Sequence, residues 1–362
     1  MAGRFDLFGI GDLNVDYIIG RTNRRALETT FPDAFRRLRS CFPDGRDGIA
    51  SDDQIAGMVA ISRGYCVACL GGSAFNVLQA AAGLDRNLRL GCLGILGTRG
   101  IPDADFSAWL DRHNVDRTFV LPAPGEQGSC MALFDGGKRL LRPYPAANAA
   151  FADVFDGFGE HVAEYVSNSR IVHLTPLIDR RGADLAAEWM RAIKARNPGI
   201  LLSFDPGDRW SEPVASALAD IYGLADVVFL NETELTRLGA STAARPFKSI
   251  VEDLLNRRVI DAPVTLAIKA DQHSHIYVCD GDAVNESIHP IEDFLSEPQI
   301  EDTTGGGDVF AAGFLVGRYL RGLTLQASVA LAHRLMWRKL QGIGLTMSRD
   351  FAQDLPNPGA NP

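Results

Sequence analysis

The chain has 362 residues, 46% of them hydrophobic and 22% charged, with a formal net charge of −9. That length holds one large domain or two ordinary ones, and the composition is that of a soluble globular protein. The acidic charge argues against general nucleic-acid binding. No run of about 18 apolar residues occurs, so no membrane helix is expected, and the apolar stretch 7–10 is too short for a signal peptide, which predicts a cytoplasmic protein.

In chain order, the first predicted element is a short buried strand at 5–11 that ends in glycine. The segment 21–65 is rich in charge, with Arg24, Arg25, Arg36, Arg37 and Arg39, and reads as a solvated helix face in preference to a phosphate site. A small-residue helix at 72–82 follows a Gly-Gly pair; a strand at 88–96 and a helix at 105–113 come next. Runs at 117–121, 127–134 and 138–144 read as strands without intervening helices. Asp135-Gly136-Gly137 makes a hairpin turn between the last two, so a small antiparallel sheet is predicted.

From 162 onward the rhythm changes to alternation. Strands are predicted at 171–174, 200–205, 227–230 and 264–269, and helices at 184–195, 212–222, 232–238, 247–257, 309–320 and 325–340. Short apolar strands alternating with helices imply an α/β fold with a mostly parallel sheet covered on both faces. Such sheets bind ligands beyond the carboxyl ends of their strands. The tail, 353–362, is rich in Pro, Asn and Gly and is expected to be disordered. Among six cysteines, Cys66 and Cys69 have redox or zinc spacing but no second pair, so a reduced structural role is expected. His273 and His275 alternate in a strand-like run without further ligands, which argues against a metal site.

The chemistry concentrates at 302–310, where Gly305, Gly306 and Gly307 run into Asp308 and then into an apolar helical pattern. Glycines at a helix start expose backbone N–H groups, and the helix dipole adds partial positive charge, which together favour an anion such as phosphate. An aspartate in the first turn then sits where it could take a proton from an attacking hydroxyl. Read alone, the same residues are also a plain turn with an Asp at the dipole. Standard nucleotide motifs are absent: Gly136-Gly137-Lys138 is followed by Arg139 rather than Ser or Thr, and Gly9-Ile10-Gly11 lacks the third glycine of a dinucleotide loop.

Four motifs in order carry a resemblance. Asp302-Thr303-Thr304-Gly305-Gly306-Gly307-Asp308-Val309-Phe310 resembles the C-terminal signature D-T-T-G-A-G-D-x-F of the PfkB family of carbohydrate kinases, the ribokinase-like group. Gly71-Gly72-Ser73-Ala74-Phe75-Asn76 resembles its N-terminal signature, Asn231-Glu232-Thr233-Glu234 its N-x-x-E motif, and Asp16 its early substrate-binding aspartate. The resemblance implies a ribokinase-like three-layer α/β/α fold over 1–350, with a mostly parallel central sheet and a small antiparallel β lid built from about 14–45 and 115–146. It implies an ATP-dependent kinase acting on a hydroxyl of a sugar or nucleoside, Mg2+ as cofactor, room for a monovalent cation such as K+, and a homodimer through the lid.

By the same resemblance Asp308 is the base and Gly305–Gly307 the anion hole; Gly306 stands where the family often has Ala. Asp16, Gly71, Gly72 and Asn76 are the substrate residues, with Asn148, in Ala146-Ala147-Asn148, where many members have Gly-Ala-Asn. Asn231 and Glu234 are the magnesium residues, acting through water, and Asn231, Lys269, Thr303 and His333 the nucleotide residues. The turn 269–274 lacks the glycines of the family's G-x-x-G, which leaves the nucleotide pose open. Phe75 and Phe134 read either as base-stacking residues or as lid core, and Arg142 as the lid cation for a phosphosugar. The other reading is a non-catalytic sugar- or nucleoside-binding protein on a kinase fold.

Overall fold

The computed structural model describes residues 5–42, 48–101, 104–211, 216–240, 245–270, 273–291, 299–345 and 351–355. Within them the chain runs β1 (Phe5–Ile10), β2 (Asn14–Ile19), α1 (Arg21–Thr30), α2 (Pro32–Ser40), α3 (Asp52–Ile61), β3 (Val67–Gly71), α4 (Ser73–Leu84), β4 (Leu90–Arg99), α5 (Phe106–Arg112), β5 (Asp116–Glu126), β6 (Ser129–Asp135) and β7 (Lys138–Tyr144). It continues α6 (Phe151–Val154), α7 (Gly159–Val166), β8 (Ser169–Leu174), α8 (Gly182–Arg196), β9 (Leu201–Phe204), α9 (Ser216–Leu224), β10 (Val227–Asn231), α10 (Glu232–Leu238), α11 (Phe247–Asn256), β11 (Val264–Lys269), β12 (His273–Asp280), β13 (Ala283–Pro290), α12 (Gly306–Leu315) and α13 (Leu325–Leu340).

Nine strands form one sheet in the order β13-β12-β11-β10-β9-β8-β1-β4-β5. From β11 to β5 all neighbours are parallel; β12 and β13 are added antiparallel. A parallel sheet needs cover on both faces, and the strand alternation supplies it. On β10, Val228 and Leu230 point to one core, with Trp189, Tyr222 and Leu254 from α8, α9 and α11. Val227 and Phe229 point to the other, with Phe75, Phe310 and Leu335 from α4, α12 and α13. The fold is therefore the expected three-layer α/β/α sandwich.

A four-stranded sheet, β3-β2-β6-β7, stands beside it. It is not the antiparallel sheet expected: β2 and β6 pair in parallel, between antiparallel β2–β3 and β6–β7. The predicted strand at 117–121 does not belong to it either. It is part of β5, which crosses over through α5 and pairs in parallel with β4 at the edge of the large sheet. One face of the small sheet is covered by the charge-rich segment, which folds as α1, α2 and α3 and buries Leu27, Phe35, Leu38, Ile55 and Met58 against Met131 and Leu133. The predicted helix at 309–320 ends at Leu315 and closes in a π-turn over Val316–Leu320. Residues 212–215 of the predicted helix 212–222, and 356–362 of the predicted disordered tail, lie outside the described residues. Residues 352–354 form a short 3-10 turn next to buried Phe351.

α12 carries Asp308, and its position depends on close helix packing. A Cβ at Gly313 would lie 2.8 Å from the Ala332 Cα on α13, far inside van der Waals contact. Gly313→Val is expected to destabilise the protein by about 2 kcal/mol or more through overpacking, measured as a lower midpoint in urea with unchanged slope.

Candidate active site

β1 and β2 are joined by only Gly11, Asp12 and Leu13, which seats the small sheet over the carboxyl ends of the large one. Between them lies a cleft of roughly 720 Å³. Its floor comes from residues at or just past strand ends: Asp12 after β1, Thr175 after β8, Asp205 after β9, Asn231 on β10 and Lys269 on β11. The amino end of α12 supplies Thr303, Gly305, Gly307 and Asp308, and β7 supplies Arg139 and Leu141 from above.

Gly305 is the N-cap of α12 and holds φ +76°, a left-handed conformation that suits glycine. From there Gly306 and Gly307 begin the helix; Gly306 N donates to Thr303 O at 3.2 Å, and the Gly307 N–H lies in the first turn, where the helix itself supplies no acceptor. A Cβ at Gly306 would meet Leu340 Cδ2 at 3.2 Å, so the alanine common in the family needs only a small shift. A Cβ at Gly307 would lie 2.7 Å from the Lys269 ammonium: the missing side chain lets that cation rest against the loop. Lys269 also lies 3.9 Å from an Asp205 carboxylate oxygen.

Asp308 is oriented by Asn76, whose Nδ2 donates to Asp308 Oδ2 at 2.8 Å, while Gln79 Nε2 donates to Asn76 Oδ1 at 3.3 Å. Asn76 is thus committed to the aspartate in this structure. Burial, with the Asp205 charge nearby, pushes the Asp308 carboxyl up to about 6; the Asn76 bond and the Lys269 charge hold it from rising further. Asp16, on β2, is pushed up to about 7 by burial and by the negative charges of Asp302 and Asp308. A Cβ at Gly71 would meet the Asp16 carboxylate at 2.0 Å, so glycine there is what makes room for it. Gly72 holds φ +105°, and a Cβ there would lie 2.0 Å from the Asp12 carbonyl oxygen, so no other residue fits.

Asn231 and Glu234 form a capping box on α10. Glu234 N donates to Asn231 Oδ1 at 2.9 Å, and Asn231 N to Glu234 Oε2 at 2.8 Å. Burial, with Asp205 adding repulsion, pushes the Glu234 carboxyl up to about 7. Asn148 is fully buried; its Nδ2 donates to Leu13 O and to Asn14 Oδ1, both at 3.0 Å, so it meets the cleft through Asn14. His333 does not reach the cleft. It bonds Ser274 Oγ at 2.8 Å and lines a separate hollow of roughly 400 Å³ with His289, Gln326 and Trp337. Asp271 and Gln272 of the turn 269–274 lie outside the described residues.

The structure decides between the two readings of Phe75 and Phe134 and moves Arg142 out of the cleft. Phe75 packs in the core against Phe106 and Trp109, and Phe134 lies under the Arg21 guanidinium; neither lines the cleft. On β7 the alternation turns Arg139 and Leu141 toward the cleft, whereas Arg142 faces α3 and donates to Gln54 Oε1 at 3.4 Å. Of the two, Arg139 and not Arg142 lines the cleft. Sequence reasoning passed over Asp12 and Asp205. Both stand at the carboxyl ends of predicted strands, the place where open parallel sheets hold ligands, and that rule could have found them.

Fold and cleft together define a ribokinase-like protein with an anion loop and an adjacent aspartate at the amino end of a buried helix. The chain matches the pfkB family carbohydrate kinase family over residues 67–348, and it belongs to that family. It is 30% identical over 251 residues to an ATP-dependent ribose-1-phosphate kinase of Halopiger xanaduensis, covering 68% of this chain and 72% of that one. It is 25% identical over 224 residues to a sugar kinase of Archaeoglobus fulgidus, covering 62% of this chain and 78% of that one. Among solved structures it shares its fold with adenosine kinase from Schistosoma mansoni in complex with 2-fluoroadenosine, at TM-score 0.72 and 16% identity over 96% of this chain and 98% of that one.

The raised carboxyl of Asp308 has a consequence for stability. Its folded-state value lies above its ordinary one, 3.8, so its contribution is full below about pH 4 and is lost as pH rises through about 6. Asp308→Asn is therefore expected to raise Tm at pH 8 by about 2 °C, an advantage that shrinks toward pH 4. Scanning calorimetry of both proteins across that range checks it.

Proposed function

We propose that the chain is an ATP-dependent kinase that transfers the γ-phosphoryl group to a hydroxyl of a sugar or nucleoside. The observation that carries this reading is Asp308, held by Asn76 in the first turn of α12, directly after the N–H groups of Gly305, Gly306 and Gly307. Asp308 accepts the hydroxyl proton as the oxygen attacks phosphorus. The loop N–H groups and the Lys269 ammonium stabilise charge on the transferred group, and such preorganised donors carry most of the catalysis in this chemistry. Asp16 accepts from neighbouring hydroxyls of the acceptor, which aims the reacting one at Asp308. The small sheet closes over the acceptor and limits loss of phosphate to water. Thr303 and Lys269 lie on the nucleotide side. A homodimer through this lid would have to form around α1–α3, which cover its outer face.

The cleft suits a magnesium ion that arrives hydrated with the nucleotide. Among the described residues no group of three His, Cys, Asp or Glu could hold a metal directly. Glu234 and Asp205 nevertheless present carboxylates in the cleft that repel each other, and oxygen donors met through water are what magnesium takes. When bound it supplies neutralising charge.

A second reading narrows the acceptor to a phosphorylated sugar. Arg139 and Arg209 both line the cleft, two cations that neutral sugar hydroxyls do not need, and the Halopiger relative is by its name a ribose-1-phosphate kinase. The alternative of a binding protein without turnover has against it the intact loop and the intact Asp308.

Asp308→Asn is expected to lower kcat by about 10²–10⁴-fold while calorimetry still shows acceptor binding; near-normal turnover removes the base assignment. In the parent protein kcat/KM is expected to fall about tenfold per pH unit below the Asp308 value of about 6. Arg139→Met is expected to raise KM for sugar phosphates by about tenfold or more and leave unphosphorylated acceptors within a few-fold. Equal effects on both acceptor types remove the phosphosugar reading.

A further inference from the structure

Lys339 and Asp302 form an ion pair whose side chains are 1% and 2% exposed. Lys339 Nζ donates to Asp302 Oδ2 at 2.7 Å and to the Asp302 backbone carbonyl at 2.9 Å. The same carboxylate accepts the Thr304 N–H at 2.8 Å on Oδ1 and the Gly344 N–H at 3.0 Å on Oδ2. The N–H groups of Glu301 and Asp302 in turn donate to Leu340 O. Asp302 therefore ties the first residues of the anion loop to the carboxyl end of α13 through both its carboxylate and its backbone.

Stability alone gives little reason for such a pair. Taking both charges out of water offsets most of their attraction, and apolar residues of the same volume often do as well. An apolar residue could not neutralise Asp302, however, and Asp302 stands among acids: its charge and that of Asp308 both bear on Asp16. The ammonium is a compact single charge with donors for oxygen only. A potassium ion offers the same charge to the same kind of oxygen cradle. The oxygens at the foot of the loop that would draw such an ion, one carboxylate and one carbonyl, are already taken by Lys339.

We infer that Lys339 is a tethered monovalent cation that neutralises Asp302 and fixes the Gly305–Gly307 loop, so that this kinase needs no added potassium. Buried as it is, Lys339 meets neither acceptor nor nucleotide and is a positioning residue. The inference rests on the kinase reading for its kinetic arm alone.

The test compares the parent protein and Lys339→Met in tetramethylammonium buffer, with and without potassium or ammonium chloride, by Tm and by turnover. The parent is expected to show no potassium- or ammonium-selective change in either. Lys339→Met is expected to lose about 10²-fold or more in kcat with acceptor KM within a few-fold. Potassium or ammonium, and not tetramethylammonium, is expected to restore part of that loss and to raise the variant's Tm by binding its vacated cradle. Potassium stimulation of the parent by about tenfold overturns the inference, as does a folded Lys339→Met that responds to neither ion. Should the variant not fold, a potassium-selective rise in the parent's Tm overturns it and its absence supports it. A parent without turnover on any acceptor removes the kinase reading and leaves the Tm comparison to decide on Lys339.

Discussion

On the proposed function the cleft receives an anion, yet several acids line it. Asp12, Asp205, Glu234 and Asp308 all line it, and Asp16 and Asp302 act on the same region. Two like charges about 6 Å apart repel by about 3 kcal/mol at an effective dielectric of 20, so the site cannot hold all of these ionised without help. Two devices are visible. Cations stand near three of the acids: Lys339 on Asp302, Lys269 between Asp205 and the loop, and Arg139 within electrostatic range of Asp308. Several of the acids also keep protons longer than usual, with Asp12, Asp16 and Glu234 pushed up to about 7 and Asp308 up to about 6. The chain's net charge of −9 matters less here, because charge beyond about 8 Å is screened at physiological salt.

These cations reach their places because the backbone gives way to them. Glycine at 307 admits the Lys269 ammonium, and glycine at 71 admits the Asp16 carboxylate. The glycine signatures are thus less about chain flexibility than about letting charged groups come within contact distance of the main chain. Only Gly72 and Gly305 also require a positive φ. The fold then locks the arrangement: α12 is packed between α4 and α13 by residues with no exposure, Phe310, Ala311, Ala312 and Phe314 among them. Asp308 cannot move without moving a core helix.

Much of this was legible in the sequence, for physical reasons that differ along the chain. Strands buried on both faces read as unbroken apolar runs, so Val264–Lys269 and the helices Glu232–Leu238 and Leu325–Leu340 coincide with their predicted spans. The loop and its aspartate, which alone read equally as a plain turn, stood out because Asp16, Gly71-Gly72, Asn76 and Asn231-Glu234 accompany them in order. The small sheet was harder. Asn14–Ile19 and Val67–Gly71 are short, and they pair with each other across three intervening helices, which no local pattern announces. The strand at 117–121 was misplaced although its signal was present: the helix at 105–113 between it and 88–96 is a βαβ unit, which implies parallel pairing in one sheet. Arg139 and Arg142 could not be told apart without knowing which face α1–α3 cover, since a strand turns every second side chain to the opposite side.

The Asn231–Glu234 motif shows how a structural and a functional reading can share the same atoms. As a capping box it satisfies orphan N–H groups at the start of α10. The same bonds fix the Glu234 carboxylate at the carboxyl end of β10, in the cleft and within range of the Asp205 charge. A cap on an exposed helix would leave that acid ionised; here burial raises it to about 7, so near neutral pH it stands between its two forms. Asp16 is in the same state, and Asp308 follows about a unit lower. A cleft of this kind carries less negative charge near neutral pH than its acidic residues suggest. The protons that keep it so can leave as cations and donor groups of the ligands take their place, because ligand charge and carboxyl ionisation are linked. On the proposed function, the carboxylates of the floor and an anionic nucleotide are compatible where Lys269 and Arg139, whose charges already favour the ionised form of Asp308, stand beside them.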